Sequence, residues 1–202
     1  MVKLVYATPL VLAAQATRFS KANQGKSDSK NMILGPKDKS LLKRVAFNAG
    51  HESVLEHSFI TFDVEMSQKA LMEGNTHRIC ISKVVTSSRY ALRKIEIKFE
   101  ETGDEDINAK LRYWKSIIEH ELRKGKSLDD VSMMLPQAFI YSLRLSFNMR
   151  SLLNFLRLRL TKEAHKTIRK VAIEIINELP HEWFEMIMND ENIRRNYELF
   201  NG

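Results

Sequence analysis

Sulfur chemistry is nearly absent from this chain, because Cys80 is the single cysteine in 202 residues. One thiol closes no internal disulfide and builds no thiolate metal site, so a reducing compartment is expected, and with it a cytoplasmic location. Long apolar runs are missing too. A bilayer-crossing helix needs about 20 consecutive apolar residues, and the richest stretch here is interrupted by Arg144, Arg150, Arg157 and Arg159, which excludes a membrane-spanning protein. The opening MVKLVYATPLVLAAQATRFS has an early lysine and an apolar middle but no small-residue cleavage site, so it reads as mature protein. Internal repeats, low-complexity tracts and Walker-type glycine loops are also lacking.

What remains is an ordinary globular composition, 44% apolar and 28% charged. A chain of this size buries roughly 70% of the surface it exposes unfolded, so one domain over 1–202 is expected. The net charge of +7 points to an anionic partner. Charge alone does not choose among nucleic acid, phospholipid headgroups and a small phosphorylated ligand.

Periodicity supplies the elements. Lys3 to Ala7 reads as a short strand, followed by a helix capped by Thr8, opened by Pro9 and ending near Ser20. Residues 21–36 are polar and turn-rich and predict a mobile loop before Ser40 opens the next helix; residues 190–202 predict a C-terminal tail. Ile60, Phe62, Val64 and Met66 alternate with polar residues, as do Phe139, Tyr141, Leu143, Leu145 and Phe147, which gives two strands. Lys94 to Glu100 predicts a weaker third. Helical spacing links Ile107, Leu111, Trp114, Ile118 and Leu122, and again Ala164, Ile168, Val171, Ile175 and Leu179, the latter helix capped by Thr161; Ser127 caps a short helix between them. Strands not separated by regular helices predict an α+β fold with a small, mainly antiparallel sheet.

Three polar clusters carry the candidate chemistry. In GHESVLEH, Gly50 to His57, the two histidines are six residues apart, about 120° around a helix, so they do not share a metal; a helix start capped by Ser53 is the simpler reading. In THRICISKVVTSSRY, Thr76 to Tyr90, arginines and hydroxyls supply the donors a phosphate requires. Cys80 sits between Ile79 and Ile81 with no neighbouring base and reads as a packing residue. In NMRSLLNFLRLRL, Asn148 to Leu160, arginines in an apolar run need partners or a ligand. Acidic neighbours and few exposed-looking aromatics argue against a membrane or nucleic-acid surface here.

In this order and spacing the clusters resemble the flavin-dependent thymidylate synthases, the ThyX family. YATPLVLAAQATR is similar to the family's opening and GHESVLEHSFITF to its GH-x-S/T-x-x-EH segment. THRICISKVVTSSRY resembles its RHR signature with the following serine and x-R-Y, and LPQAFIYSLRLSFNMRSLLNFLRLR its LP-to-NxRSLxNFLxLR region. Four ordered matches are far more specific than any one of them.

The resemblance implies an α+β protomer in a homotetramer with FAD at subunit interfaces, and conversion of dUMP to dTMP with methylenetetrahydrofolate as carbon donor and NADPH as reductant. It places flavin contacts at Ser53, His77, Arg78, Asn148, Arg150 and Asn154, with His51 near the flavin and folate edge. Nucleotide contacts fall on Glu73, Ser87, Ser88, Arg89 and Arg159. Arg159 corresponds to the arginine at the uracil edge, where a fixed cation stabilises charge developing on N3 and O4; it is the expected catalytic residue.

The chain also departs from the family pattern: Thr76 replaces the first arginine of RHR, Ser132 a further basic contact and Val85 an acidic residue, and the family's A-Q-x-E-I-R continuation reads AHKTIR from Ala164 to Arg169; Lys83 and Lys69 are the nearby cations that could compensate. These departures keep open a flavin-dependent methylase or hydroxymethylase of another pyrimidine nucleotide, and a flavin-free basic nucleic-acid-binding paralogue is the rival from another functional class.

Overall fold

The computed structural model describes residues 1–77, 79 and 81–201. Strands β1 (Val2–Ala7), β2 (Phe59–Ser67), β3 (Ile81–Val85) and β4 (Ile140–Asn148) form one antiparallel sheet in the order β1-β2-β4-β3. Around it lie α1 (Val11–Phe19), α2 (Pro36–Lys43), α3 (Gln68–Gly74), α4 (Ser88–Ala91), α5 (Glu105–Arg123), α6 (Leu128–Ser132), α7 (Met149–Arg159), α8 (Lys166–Asn177), α9 (His181–Ile187) and α10 (Glu191–Phe200).

The period-two pattern decides which sheet face is covered. Ile60, Phe62, Val64 and Met66 of β2 and Leu143, Leu145 and Phe147 of β4 are buried in one cluster with Leu152 and Leu156 of α7 and Ile168, Val171 and Ile175 of α8. Each such side chain, fully buried, contributes about 1.5–3 kcal/mol of hydrophobic free energy before entropy is charged against it. A satellite cluster of Leu92, Ile97, Ile118, Val131 and Phe139 seats α5 and α6 beyond the start of β4. Among the described residues no helix is long and apolar enough to cross a membrane.

Several local expectations need correction. The third strand is β3, not Lys94–Glu100. The latter touches the sheet through one bridge, Phe99 to Phe139, although the burial of Ile97 agrees with its alternation. Thr8 does not cap α1: its hydroxyl accepts from the Phe59 N–H at 2.8 Å and donates to the Phe59 carbonyl at 3.2 Å, prolonging the pairing of β1 with β2. The helix begins at Val11, and the Leu10 N–H donates to Glu182 Oε2 of α9 at 3.4 Å.

Thr161 does not cap α8 either. His165 Nδ1 accepts from the Thr167 N–H, while the Thr161 carbonyl accepts from Arg169.

The second helix starts at Pro36, before Ser40, because the Asp28 carboxylate accepts from the Lys37 and Asp38 N–H groups at 2.9 and 3.0 Å. That long-range cap needs Gly35, where an added Cβ would lie 2.5 Å from Asp28 Cγ. The 21–36 loop is thus strapped to α2, and its Ser27 and Ser29 hydroxyls both donate to the buried Asp38. Residues 191–200 of the expected tail form α10, whose Ile193 is fully buried.

Candidate active site

The β4–α7 junction builds the site. No loop separates strand from helix: Asn148 ends β4 and also caps α7, its Oδ1 accepting from the Ser151 N–H at 2.8 Å. The Met149 N–H donates to the Ser58 carbonyl at 2.9 Å and fixes the helix start against the segment 52–57. Helical spacing then carries Arg150, Asn154, Arg157 and Leu158 along one flank while Leu152, Leu153, Phe155 and Leu156 enter the core.

That flank walls a cavity of 520 Å³ shared with Glu52, Glu56, Thr76, His77, Ile79, Ile81, Asn148 and Ser151. Glu52–His57 forms a 3₁₀ turn entered through Gly50, whose φ of +71° favours glycine. Ser53 does not cap this turn through its side chain; His51 occupies the cap position. Ion pairs lace the cavity wall. Arg150 Nη1 donates to Glu56 Oε1 at 2.5 Å, and Arg157 bridges Glu52 Oε1 at 2.5 Å and Asp190 Oδ2 at 2.6 Å. Ser151 Oγ donates to the Ile79 carbonyl at 3.0 Å and ties Ile79 to α7.

Arg159 closes the last turn of α7 with its side chain 17% exposed. Its Nε donates to His77 Nε2 at 2.9 Å, and its Nη2 donates to Thr76 Oγ1 at 2.6 Å and to the Glu73 carbonyl at 3.0 Å. His77 is buried edge-on against Phe155, with ring centroids 5.1 Å apart. Burial, and then the positive charges of Arg159 and Lys83, lower its pKa to about 4. The imidazole is therefore neutral at physiological pH, and since Nε2 accepts, the proton sits on Nδ1. Burial also lowers the Lys83 pKa; its ammonium donates to Asn75 Oδ1 at 2.7 Å, while Lys69 lies 3.5 Å from Glu73.

The structure brings His77, Asn148, Arg150 and Asn154 together, and joins Glu73 to Arg159. His51 and Ser53 line a different cavity, of 640 Å³, with Arg18, Lys21, Lys26 and Arg44. Ser87, Ser88 and Arg89 line neither; they lie at α4, where Arg89 Nε is 2.9 Å from Asp129 Oδ1 in an exposed pair. Arg78 and Cys80 fall outside the described residues. Sequence reasoning missed Thr76 as a partner of Arg159 and Glu52 and Arg157 as wall residues. The signal available was an arginine repeated two residues apart on α7, which forces Arg157 and Arg159 toward different partners.

The donor chemistry fits a flavin dinucleotide. Arg150 and Asn154 offer charged and neutral donors, Ile79, Ile81 and Leu158 offer an apolar wall, and the volume lies within the range of small-molecule sites, about 300–1,000 Å³.

The sequence matches the family described as thymidylate synthase complementing protein over residues 3–183. This chain belongs to that family. It is 34% identical to the flavin-dependent thymidylate synthase of Campylobacter jejuni (strain RM1221), covering 90% of this chain and 92% of the relative. It is also 34% identical to that of Wolinella succinogenes, covering 90% and 94%. A solved structure of Helicobacter pylori ThyX with FAD and dUMP superimposes with a TM-score of 0.85 at 28% identity, covering 96% of this chain and 98% of that one. The family fold is therefore that of this chain, a small antiparallel sheet with mixed helices. A UMP/dUMP methylase from Streptomyces cacaoi shares the fold, with a TM-score of 0.72 at 21% identity.

Proposed function

We propose that the chain converts dUMP to dTMP in the cytoplasm, with methylenetetrahydrofolate as carbon donor and NADPH as reductant. The observation that carries this reading is Arg159, a largely buried guanidinium held by Thr76 and His77 of the wall of the 520 Å³ cavity, in a member of this family. FAD, when bound and reduced, supplies the hydride that completes the methyl group. His77, Asn148, Arg150 and Asn154 hold it, with Arg78 as a further contact. Ser87, Ser88 and Arg89 hold the nucleotide phosphate, and Glu73 lies at the nucleotide. Arg159 stabilises negative charge on the uracil O4 and N3, which makes C5 nucleophilic without a cysteine.

Separation of His51 and Ser53 from the other flavin residues supports a site completed by a second copy of the chain, and a homotetramer is the assembly expected. Light scattering with and without FAD tests this; a monodisperse monomer that takes up no flavin overturns it.

The deciding experiment incubates the protein with FAD, NADPH, methylenetetrahydrofolate and dUMP and weighs the nucleotide product. A product one CH₂ heavier is expected. An unchanged nucleotide overturns the reading, and a product heavier by CH₂O identifies a hydroxymethylase, which Thr76, Ser132 and Val85 at departing positions would favour.

Arg89→Ala tests the phosphate assignment. Its exposed pair with Asp129 is cheap to break, so the guanidinium is available to a ligand. Loss of a charged hydrogen bond should weaken dUMP binding by about tenfold to a hundredfold and leave FAD affinity nearly intact. Unchanged dUMP affinity by calorimetry would place the phosphate elsewhere.

A further inference from the structure

Arginine carries five N–H donors, and the described structure accounts for three of them at Arg159: Nε on His77 Nε2, and both Nη2 hydrogens on Thr76 Oγ1 and the Glu73 carbonyl. Among the described residues the nearest charged group to Nη1 is Glu73 Oε2, at 3.8 Å, beyond hydrogen-bond reach. We propose that Thr76 and His77 are positioning residues which lock the guanidinium by one edge and present its Nη1 donors alone to the base. The proposal rests on the assignment of Arg159 to the uracil edge.

The chemistry of the acceptors suits this task. A neutral imidazole and a hydroxyl orient the cation without themselves neutralising it. The one carboxylate beside it among the described residues, Glu73, stands 3.8 Å from Nη1, makes no hydrogen bond to the guanidinium and is shared with Lys69 at 3.5 Å, so part of the field remains for the developing uracil charge. His77 is itself held by its edge contact with Phe155 on α7, the helix that carries Arg159, so acceptor and donor are referenced to one rigid element. Thr76 reaches the same group from the end of α3, and its hydroxyl also lies 2.9 Å from the Glu73 carbonyl, which closes the cradle. An arginine at position 76 would repel the guanidinium of Arg159 rather than accept from it. Position 76 thus sets how many Arg159 donors remain for the nucleotide, two in this chain.

The test compares Thr76→Val, which keeps the shape and removes the acceptor, with Thr76→Ser, which keeps the acceptor, in FAD-loaded protein whose melting temperature is checked first. Thr76→Val should lower kcat for methyl transfer by about tenfold while KM for dUMP, and dUMP affinity by calorimetry, change less than about threefold; Thr76→Ser should restore kcat to within about threefold. Such a split between kcat and KM, with rescue by serine, is not what a general loss of packing produces. Unchanged kcat in Thr76→Val overturns the proposal. Tighter dUMP binding or faster turnover overturns it too, by showing that the cradle competes with the base. Failure of the underlying reading looks different, because the unsubstituted protein would then leave dUMP unmethylated.

Discussion

Replacing Arg159 with alanine should slow methyl transfer at saturating dUMP by about a hundredfold or more, with a far smaller change in nucleotide affinity. The side chain is 17% exposed and lies at the end of α7 with its Nε and Nη2 occupied. A cation so placed acts mainly when charge appears opposite it, and on the uracil ring that happens in the transition state rather than in the bound substrate. Arg159→Lys keeps the charge but should be nearly as impaired. One ammonium on a flexible stem cannot accept its bearing from His77, Thr76 and Glu73 together while still directing a donor at the base. Single-turnover methyl transfer at saturating nucleotide measures both variants, and near-native rates in both would show that Arg159 is structural.

Alternation and helical spacing made much of this fold legible. Ile60 to Met66 and Leu143 to Phe147 face the core as their period-two pattern demands, and Ser127 caps α6 as its position three residues before Asp130 suggests. What escaped was decided by partners distant in sequence. Asp28 caps α2 from nine residues away, Glu182 reaches Leu10 across the molecule, and Thr8 serves the sheet instead of α1. Strand β3 is five residues long, interrupted by Ser82 and Lys83, and becomes a strand only because β4 offers it an open edge. At the site, residue types were readable and their grouping was not: Arg157 and Arg159 are two residues apart, yet one joins Glu52 to Asp190 and the other reaches the 73–77 segment.

Asp38→Ala should cost about 3–5 kcal/mol of stability, the penalty for stripping one partner from a buried ion pair. Asp38 is fully buried and its Oδ1 accepts from Arg18 Nε, whose side chain is 9% exposed; its Oδ2 accepts from Ser27 and Ser29 at 2.5 and 2.6 Å. Burial raises the pKa of this carboxylate, but the hydrogen bonds of Ser27, Ser29 and Arg18 outweigh it and the net shift is downward. A depressed folded-state pKa means that the group stabilises the fold fully above the unfolded carboxylate value, near 4, and that this contribution fades as pH falls through the lower folded value. The alanine variant should therefore lose its deficit relative to the parent only in strong acid. Urea midpoints measured from neutral pH downward check this. Two hydroxyls of the 21–36 loop lose their acceptor in the same substitution, so tryptic cleavage at Lys21, Lys26 or Lys30 should accelerate along with the stability loss. Arg18→Met combined with Asp38→Leu removes both charges at once and should recover much of the stability, because no buried charge is left unpaired. If Asp38→Ala melts with the parent at neutral pH, the pair contributes nothing and the loop is held by the Asp28 cap alone.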